Sequence, residues 1–461
     1  MEEATLNRLY QQYLVSHCVT TDSRRITPGC IFFALKGANF DGNTFAAQAL
    51  EQGAALCVVD NKDYATDERC ILVDDVLKAL QELALHHRLQ LTIPVIGITG
   101  TNGKTTTKEL VNAVLSKRYR THATQGNFNN HLGVPLTLLS IPADTEIAIV
   151  EMGANHPGEI EQLCAIAQPT FGLITNVGKA HLEGFGSFEG VVHTKTELYR
   201  FLAANKGTLF VDADNPILTA EAEKLATIPE VESMLPGYIP GMPIFDPSLV
   251  EFPLTVITYG ASEEAQVRGT YVGSEPYMKF YLQEDDNVYT IQTHLLGGYN
   301  FGNAMAAVCA GQYFNVDTFS IKEALEEYEP SNNRSQYKRT AANALILDCY
   351  NANPSSMKVA LDNFDAMQQP HKVAMLGAMR ELGRESEKEH LTIADRLKEM
   401  RLDQVILVGS EFAFADGTEG FCVFADVEQA KAYLKAHPIS GATVLIKGSN
   451  STQMWKLEEE L

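Results

Sequence analysis

Residues 93–108, IPVIGITGTNGKTTTK, limit the folds open to this chain more than any other stretch. An apolar run over 93–98 has the length of a buried strand, and it empties into a glycine-rich turn ending in Lys104, Thr105 and Thr106. A strand that meets a helix through such a turn belongs to a parallel α/β sheet, and the turn reads as a phosphate cradle. Gly100 and Gly103, with Thr101 and Asn102 between them, let backbone N–H groups face an anion. Lys104 adds a cation, Thr105 offers a hydroxyl to Mg²⁺, and the helix that follows presents its positive end. The spacing is a shortened G-x-x-G-K-T, because Ile98 stands where the general P-loop has its first glycine.

At 461 residues the chain exceeds what one core supports. Its periodicities divide it into three α/β units. Residues 1–91 form a small α/β domain, with strand-like runs at 30–35 and 55–59. A helical stripe of Val76, Leu77, Leu80, Leu83, Ala84 and His87 closes it. Residues 92–314 form a central domain of P-loop ATPase type, mostly a parallel sheet, with strands expected at 147–150, 171–175 and 207–212. After a Pro/Gly-punctuated passage at 235–253, alternating segments at 267–272, 278–282 and 288–293 predict an appended antiparallel sheet. Residues 315–461 carry buried-strand patterns at 344–348, 372–376, 404–408, 421–424 and 443–446. Helical stretches at 355–364 and 388–401 lie between them, the rhythm of a Rossmann-like, doubly wound domain.

In open α/β sheets ligands gather at the carboxyl ends of the strands, where Glu151 and His181 fall. Both can face the metals of a nucleotide. A formal charge of −22 argues against a nucleic-acid partner, which would want a concentrated basic surface. No run reaches the roughly 18 apolar residues of a membrane helix, and the acidic amino terminus lacks a secretory core. Eight cysteines without a C-x-x-C pair favour free thiols in a reducing compartment, so a cytoplasmic protein with no membrane span is expected. Ser23, Arg24 and Lys36 lie in two polar clusters of the first unit that suit a second phosphate-bearing ligand.

Several phrases then fit together: TGTNGKTT at 99–106, EMG at 151–153, NVGKAH at 176–181, Gly298-x-Asn300-x-x-Asn303, and DCYNANP at 348–354. With these the chain resembles the Mur ligase family of cell-wall amide-bond synthetases. TDSR at 21–24, GNFNNHLGVP at 126–135 and HLEGFGS at 181–187 resemble the branch that joins D-alanyl-D-alanine to UDP-N-acetylmuramoyl-tripeptide. Two departures from the family pattern fall in the last unit. Gly377-Ala378-Met379-Arg380-Glu381 stands where the family usually has Gly-Asp-Met-x-Glu, and Asn450 stands where an arginine is frequent.

The resemblance implies an ATP-dependent ligase acting through an acyl phosphate, with ATP and two Mg²⁺ ions. Lys104 and the loop amides would hold the β/γ-phosphates, Thr105 and Glu151 the first Mg²⁺, and His181 a second. It makes Lys195, by pattern alone a surface lysine, the carbamylated metal-side lysine. Asn300 and Asn303 would read adenine, although helix capping is an equal reading of Asn300 from sequence. Arg334 would reach ATP phosphate from the third unit, and Asp348 would lie by the ribose or phosphate. Ser23, Arg24 and Lys36 would take the uridine diphosphate end, and Asn129 and Asn130 the muramoyl peptide. Asn351 and Asn353 are amine-site candidates by position. A monomer is expected. A sibling ligase or folylpolyglutamate-type enzyme is the nearest alternative, and a P-loop phosphotransferase the more distant one. The third residue of the tripeptide, lysine or diaminopimelate, is open.

Overall fold

The computed structural model describes residues 1–226, 254–330 and 334–461. The passage 235–253 and the segment 331–333 just before Arg334 lie outside the described residues.

The first sheet is parallel, in the order Val19–Thr20, Ile31–Phe33, Leu56–Val59, Cys70–Leu72. Its period of two sends Ile31 and Phe33 to one apolar cluster and Cys30, Phe32 and Ala34 to another. The helix Val76–Gln90 opens on Asp75, whose side chain accepts from the Lys78 N–H at 2.9 Å, and it buries Val76, Leu80, Leu83, Ala84 and His87. Leu77, expected on that stripe, is only half-buried. Arg88 is buried as well. Its guanidinium donates to the carbonyls of Ala167, Leu91 and Gln168 at 2.9–3.0 Å, tying this helix to the end of Glu159–Ala167. Leu83 and Val134, Ile160 and Leu198 share one core, so no change of core marks the junction near 91.

The central sheet has nine strands: Asn287–Leu296, Tyr277–Glu284, Val267–Ser274, Thr255–Gly260, Thr208–Asp212, Phe171–Ile174, Val95–Thr99, Ile147–Glu151 and Thr121–Ala123. Val95–Thr99 is buried throughout because both faces are covered: Val95 joins one core while Ile96 and Ile98 join the other. The antiparallel strands are continuous with the parallel sheet, since Thr255–Gly260 pairs parallel with Val267–Ser274. The helix Thr318–Glu327 packs Ile321, Ala324 and Leu325 into this second core, and the Glu326 carboxylate accepts from Gln292 N–H. This helix, beyond the boundary expected near 315, thus packs on the second core, while Leu296 and Tyr277 of the central sheet pack in the third. An amphipathic helix carries no mark of which sheet it will cover.

The third sheet runs Gln336–Arg339, Ala344–Asp348, Thr443–Lys447, Lys372–Gly377, Gln404–Val408, Phe421–Phe424, parallel except for its first strand, with cores on both faces. It meets the central unit through Tyr277, whose ring lies 5.9 Å from that of Tyr337, and through loops at the strand ends. Among the described residues no helix is long and apolar enough to cross a membrane, and all eight cysteines are free.

Candidate active site

The strand Val95–Thr99 ends against its parallel neighbours Ile147–Glu151 and Phe171–Ile174, so the loops after all three open at one edge. The glycine-rich loop leaves there and turns into the helix Lys104–Ser116 at Gly103, whose φ of +78° only glycine adopts without strain. A Cβ at 103 would also lie 2.6 Å from Asn303 Oδ1. The N–H groups of Lys104, Thr105 and Thr106 sit in the first helical turn, where no intrahelical acceptor exists. They face a cavity of about 640 Å³, which Thr101, Asn102 and Gly103 also line.

Asn176 shapes that loop. Its carbonyl accepts from Thr101 N–H at 2.9 Å, its side-chain oxygen from Asn102 N–H at 3.0 Å, and its amide donates to the Asn102 carbonyl at 3.0 Å. The Thr175 hydroxyl donates to the same carbonyl at 2.6 Å. Lys104 donates back to the carbonyls of Gly100 and Thr101 at 2.9 and 3.1 Å, which holds its ammonium over the cradle. Burial lowers its pKa, and the nearby Glu151 opposes that shift.

Glu151, 1% exposed, accepts from the Thr105 hydroxyl and the Asn129 amide, each at 2.8 Å. Its backbone N–H is held by Thr124 Oγ1. A hydroxyl and a carboxylate side by side at a phosphate cradle are hard oxygen donors that suit Mg²⁺, which typically takes one or two carboxylates and completes its shell with phosphate and water.

His181 stands across the cavity at φ +50°, strained for a non-glycine residue, and pairs through Nδ1 with Glu381 of the third unit. Burial lowers its pKa, Glu381 works against this, and Lys104 and Lys195 add to the lowering. Lys195 ends the helix Phe188–Lys195 and is 2% exposed. Its ammonium donates to the Ala154 carbonyl at 3.2 Å and lies 5.3 Å from the Phe185 ring centre, with no carboxylate within ion-pair reach among the described residues. Burial first, and then Lys104, hold its pKa well below the ordinary lysine value. It stands behind the cavity wall, of which Ala154 is a part.

On the opposite side, Asn300 and Asn303 lie at the start of the helix Phe301–Tyr313 and line the cavity. The Asn300 side chain makes no cap bond. It donates to the Leu296 carbonyl and accepts from Asn303, whose oxygen accepts from Thr107 at 3.0 Å. Each amide thus keeps one N–H and one lone pair for a ligand. Arg334 lies 3.5 Å above the Tyr350 ring with a buried, unpartnered Nε, and Asp348 pairs with the buried Lys447 at 2.5 Å; all four line the cavity.

Two candidates have local duties. Asn130 accepts from the N–H groups of Leu132 and Gly133, which starts the helix Gly133–Leu139, though it also lines the cavity. Asn353 caps the helix Pro354–Ala366 through Ser356 and donates to Asn102 Oδ1 at 2.8 Å, stitching the third unit to the phosphate loop. Asn351 lines both this cavity and a smaller neighbour. Ser23, Arg24 and Lys36 are not at the cavity. They follow adjacent strands at the carboxyl edge of the first sheet, Arg24 paired with Asp22 and Lys36 with Asp60, each at 2.8 Å. Sequence reasoning missed the loop-holding role of Asn176 and Thr175, as well as Tyr299, Ser335 and Lys447. Only Asn176 left a trace, as a polar residue directly after a buried strand.

A phosphate cradle and a buried carboxylate, facing a third α/β unit across one cleft, define an ATP-using enzyme of two apposed catalytic domains. Three family models match in chain order: "Mur ligase family, catalytic domain" over 15–88, "Mur ligase middle domain" over 98–231 and "Mur ligase, glutamate ligase domain" over 333–450. A curated relative from Bacillus subtilis is 32% identical, the alignment covering 100% of this chain and 96% of that protein. One from Escherichia coli is 33% identical, covering 95% and 91%. Both carry the name UDP-N-acetylmuramoyl-tripeptide--D-alanyl-D-alanine ligase. A crystal structure of MurF from Acinetobacter baumannii superposes with a TM-score of 0.84 at 29% identity, covering 99% and 98%. MurF ligase from Thermotoga maritima in complex with ADP gives 0.81 at 26%, covering 97% of each chain. The chain belongs to the Mur ligase family.

Proposed function

We propose that the protein joins D-alanyl-D-alanine to UDP-N-acetylmuramoyl-tripeptide at the expense of ATP, in the cytoplasm and as a monomer. The observation that carries this reading is the Thr105–Glu151 pair at the phosphate loop, set opposite Arg334 and Asp348 of the third unit in one cavity. ATP lies along the loop, with its β/γ-phosphates on the Lys104, Thr105 and Thr106 amides and the Lys104 ammonium. Asn300 and Asn303 face the adenine end, and Arg334 reaches a phosphate from across the cleft. Thr105 and Glu151 would hold one Mg²⁺ and His181 would contribute to a second, and such cations would supply neutralisation of the phosphates and the incoming carboxylate.

The tripeptide carboxylate attacks the γ-phosphorus, ADP leaves, and an acyl phosphate forms. The dipeptide amine then attacks its carbonyl carbon, and the C–O bond to phosphate breaks. An α-amino group has a pKa of about 8, so holding it neutral at pH 7 costs only about 1.4 kcal/mol. Activation of the acid is the larger task. Docking of the third unit puts the amine against the acyl phosphate, and such positioning contributes roughly 7–11 kcal/mol.

Ser23, Arg24 and Lys36 receive the uridine diphosphate, and Asn129 orients Glu151 beside the muramoyl peptide. Lys195 carries a carbamate. Its burial favours the neutral amine that CO₂ requires; forming the N–C bond would release the amine proton to solvent and leave an anionic carbamate whose oxygens would be ligands of the kind Mg²⁺ takes. The test is phosphate release and product mass with tripeptides ending in lysine or diaminopimelate, offered D-alanyl-D-alanine or single amino acids. Ligation of the dipeptide supports the reading. Ligation only of a single amino acid would assign a sibling ligase, and muramoyl-independent hydrolysis a phosphotransferase.

A further inference from the structure

Four of the eight cysteines share one face of the first sheet. Cys30 and Cys57 are buried in the apolar cluster under that face, and Cys18 and Cys70, both half-buried, pack at its margins. The strand registers set them side by side in two pairs. Val19 is the partner of Ile31 in parallel strands, which puts Cys18 beside Cys30, and the Ile31 N–H donates to the Cys18 carbonyl at 3.0 Å. Cys57 is the direct partner of Cys70. Neighbouring strands lie about 4.8 Å apart, within the roughly 4.4–6.8 Å between Cα atoms that a disulfide spans. The first pair also converges on one hydroxyl. Cys18 Sγ is hydrogen-bonded to Thr27 Oγ1 at 3.2 Å, and the Cys30 thiol has that hydroxyl and the Cys18 thiol as hydrogen-bond neighbours. In the second pair the Cys57 thiol is turned aside and donates to the Ala46 carbonyl at 3.5 Å, and burial pushes its pKa up to about 12.

We propose that Cys18 and Cys30 form a reversible dithiol–disulfide site, oxidised by hydrogen peroxide, that staples the edge strand Val19–Thr20 to its neighbour. Cys18, the part-exposed thiol, meets the oxidant. Its sulfur attacks one peroxide oxygen, the O–O bond breaks, and the other oxygen leaves as water with the thiol proton, so that a sulfenic acid stands at Cys18. Cys30 then attacks the Cys18 sulfur. The S–S bond forms, the S–O bond breaks, and the hydroxyl departs as water with the Cys30 proton. The pair loses two electrons and the peroxide gains them. Thr27 Oγ1, placed at both sulfurs, is positioned to pass that proton. Burial shields Cys30 from the oxidant itself, which favours bridging over its separate oxidation. The consequence is mechanical. Val19–Thr20 is two residues long and forms the edge of the sheet, so little else holds it. The bridge closes residues 19–29 at their base, and Ser23 and Arg24 lie within them. In a reducing compartment the thiols are the resting form, and the bridge belongs to oxidising conditions.

In the test, the full-length protein is freed of reductant, treated with hydrogen peroxide, alkylated and digested without reduction. Mass spectrometry should find a peptide pair joining Cys18 to Cys30, lighter by two hydrogens than the sum of its parts, and two of the eight thiols should be lost to alkylation. Dithiothreitol should restore both. Hydrogen exchange of the Ile31 amide, which bonds to the Cys18 carbonyl, should slow at least about tenfold in the bridged form. Cys18→Ser should lose the bridge and the exchange effect, whereas Cys30→Ala should let the Cys18 sulfenic acid accumulate for capture by dimedone. The first variant, at a half-buried position, keeps the test intact should the second fail to fold. Alkylation of all eight thiols after peroxide, a bridge at Cys57–Cys70 in place of Cys18–Cys30, or sulfenic acid accumulating at Cys18 of the parent protein would overturn the site. A bridge that leaves Ile31 exchange unchanged would overturn the staple.

Discussion

Gly103→Ala tests how the phosphate loop is held in shape. The new methyl group would force an L-residue into φ +78°, which costs about 1–2 kcal/mol. It would also stand 2.6 Å from Asn303 Oδ1, closer than Cβ atoms come to other heavy atoms, and a tight 3.0 Å from Nδ2. Asn303 would have to move, losing its bonds to Thr107 and Asn300, each worth a net 0.5–1.5 kcal/mol or so. A destabilisation of roughly 2–5 kcal/mol is expected from these terms, read by urea denaturation of the protein without nucleotide. The decisive measurement is a double-mutant cycle. In an Asn303→Ala background the obstacle is gone, so Gly103→Ala should cost only the backbone term. A coupling of about 1–3 kcal/mol should appear between two positions 200 residues apart in sequence. Additivity within about 0.5 kcal/mol would refute the claim that Asn303 sets the requirement for glycine.

Glu151→Gln keeps an oxygen to accept from Asn129 and turns an N–H donor to the Thr105 hydroxyl, so the shape is kept while the charge and one acceptor oxygen are lost. The Mg²⁺ concentration for half-maximal turnover should rise at least about tenfold, as measured by Mg²⁺ titration of phosphate release. Unchanged Mg²⁺ dependence would remove Glu151 from the metal site. Lys195→Ala should abolish turnover, and the parent protein should lose activity in CO₂-depleted buffer and regain it with bicarbonate; full activity without CO₂ would exclude the carbamate. Burial lowers the His87 pKa to about 4 from an ordinary 6.5, as the ring lies buried against Tyr13 and Tyr10. Because the folded-state pKa is depressed, the unfolded chain binds the extra proton first. Stability is full above pH 6.5 and should fall by about 3 kcal/mol as pH drops towards 4. His87→Gln should flatten that part of the profile measured by denaturation.

The glycine-rich loop, the three α/β rhythms and the places of Glu151 and His181 were legible in the sequence because each depends on local chemistry. A run buried on both faces reads as continuous apolar residues, as Val95–Thr99 does, and a turn that needs a positive φ reads as glycine, as at 103. Lys195 was another matter. Its helix shows a lysine among polar neighbours, and only packing against Phe185 and Ala154 turns it into a buried amine. The same holds for Thr318–Glu327, which the rhythm gave to the last unit and the packing gives to the central core.

What the sequence determined by itself was the inventory: a strand that delivers a phosphate loop, a helix to follow it, and polar residues at strand ends. Tertiary structure decided which members of that inventory meet. Thr105 reaches Glu151 across 46 residues, Asn102 reaches Asn353 across 251, and His181 reaches Glu381 across 200. Such contacts arise from parallel strands ending at a common edge and from two cores docking loop to loop. Neither leaves a period or a spacing in the chain, because the chain between the partners can take many lengths and still bring the same two ends together.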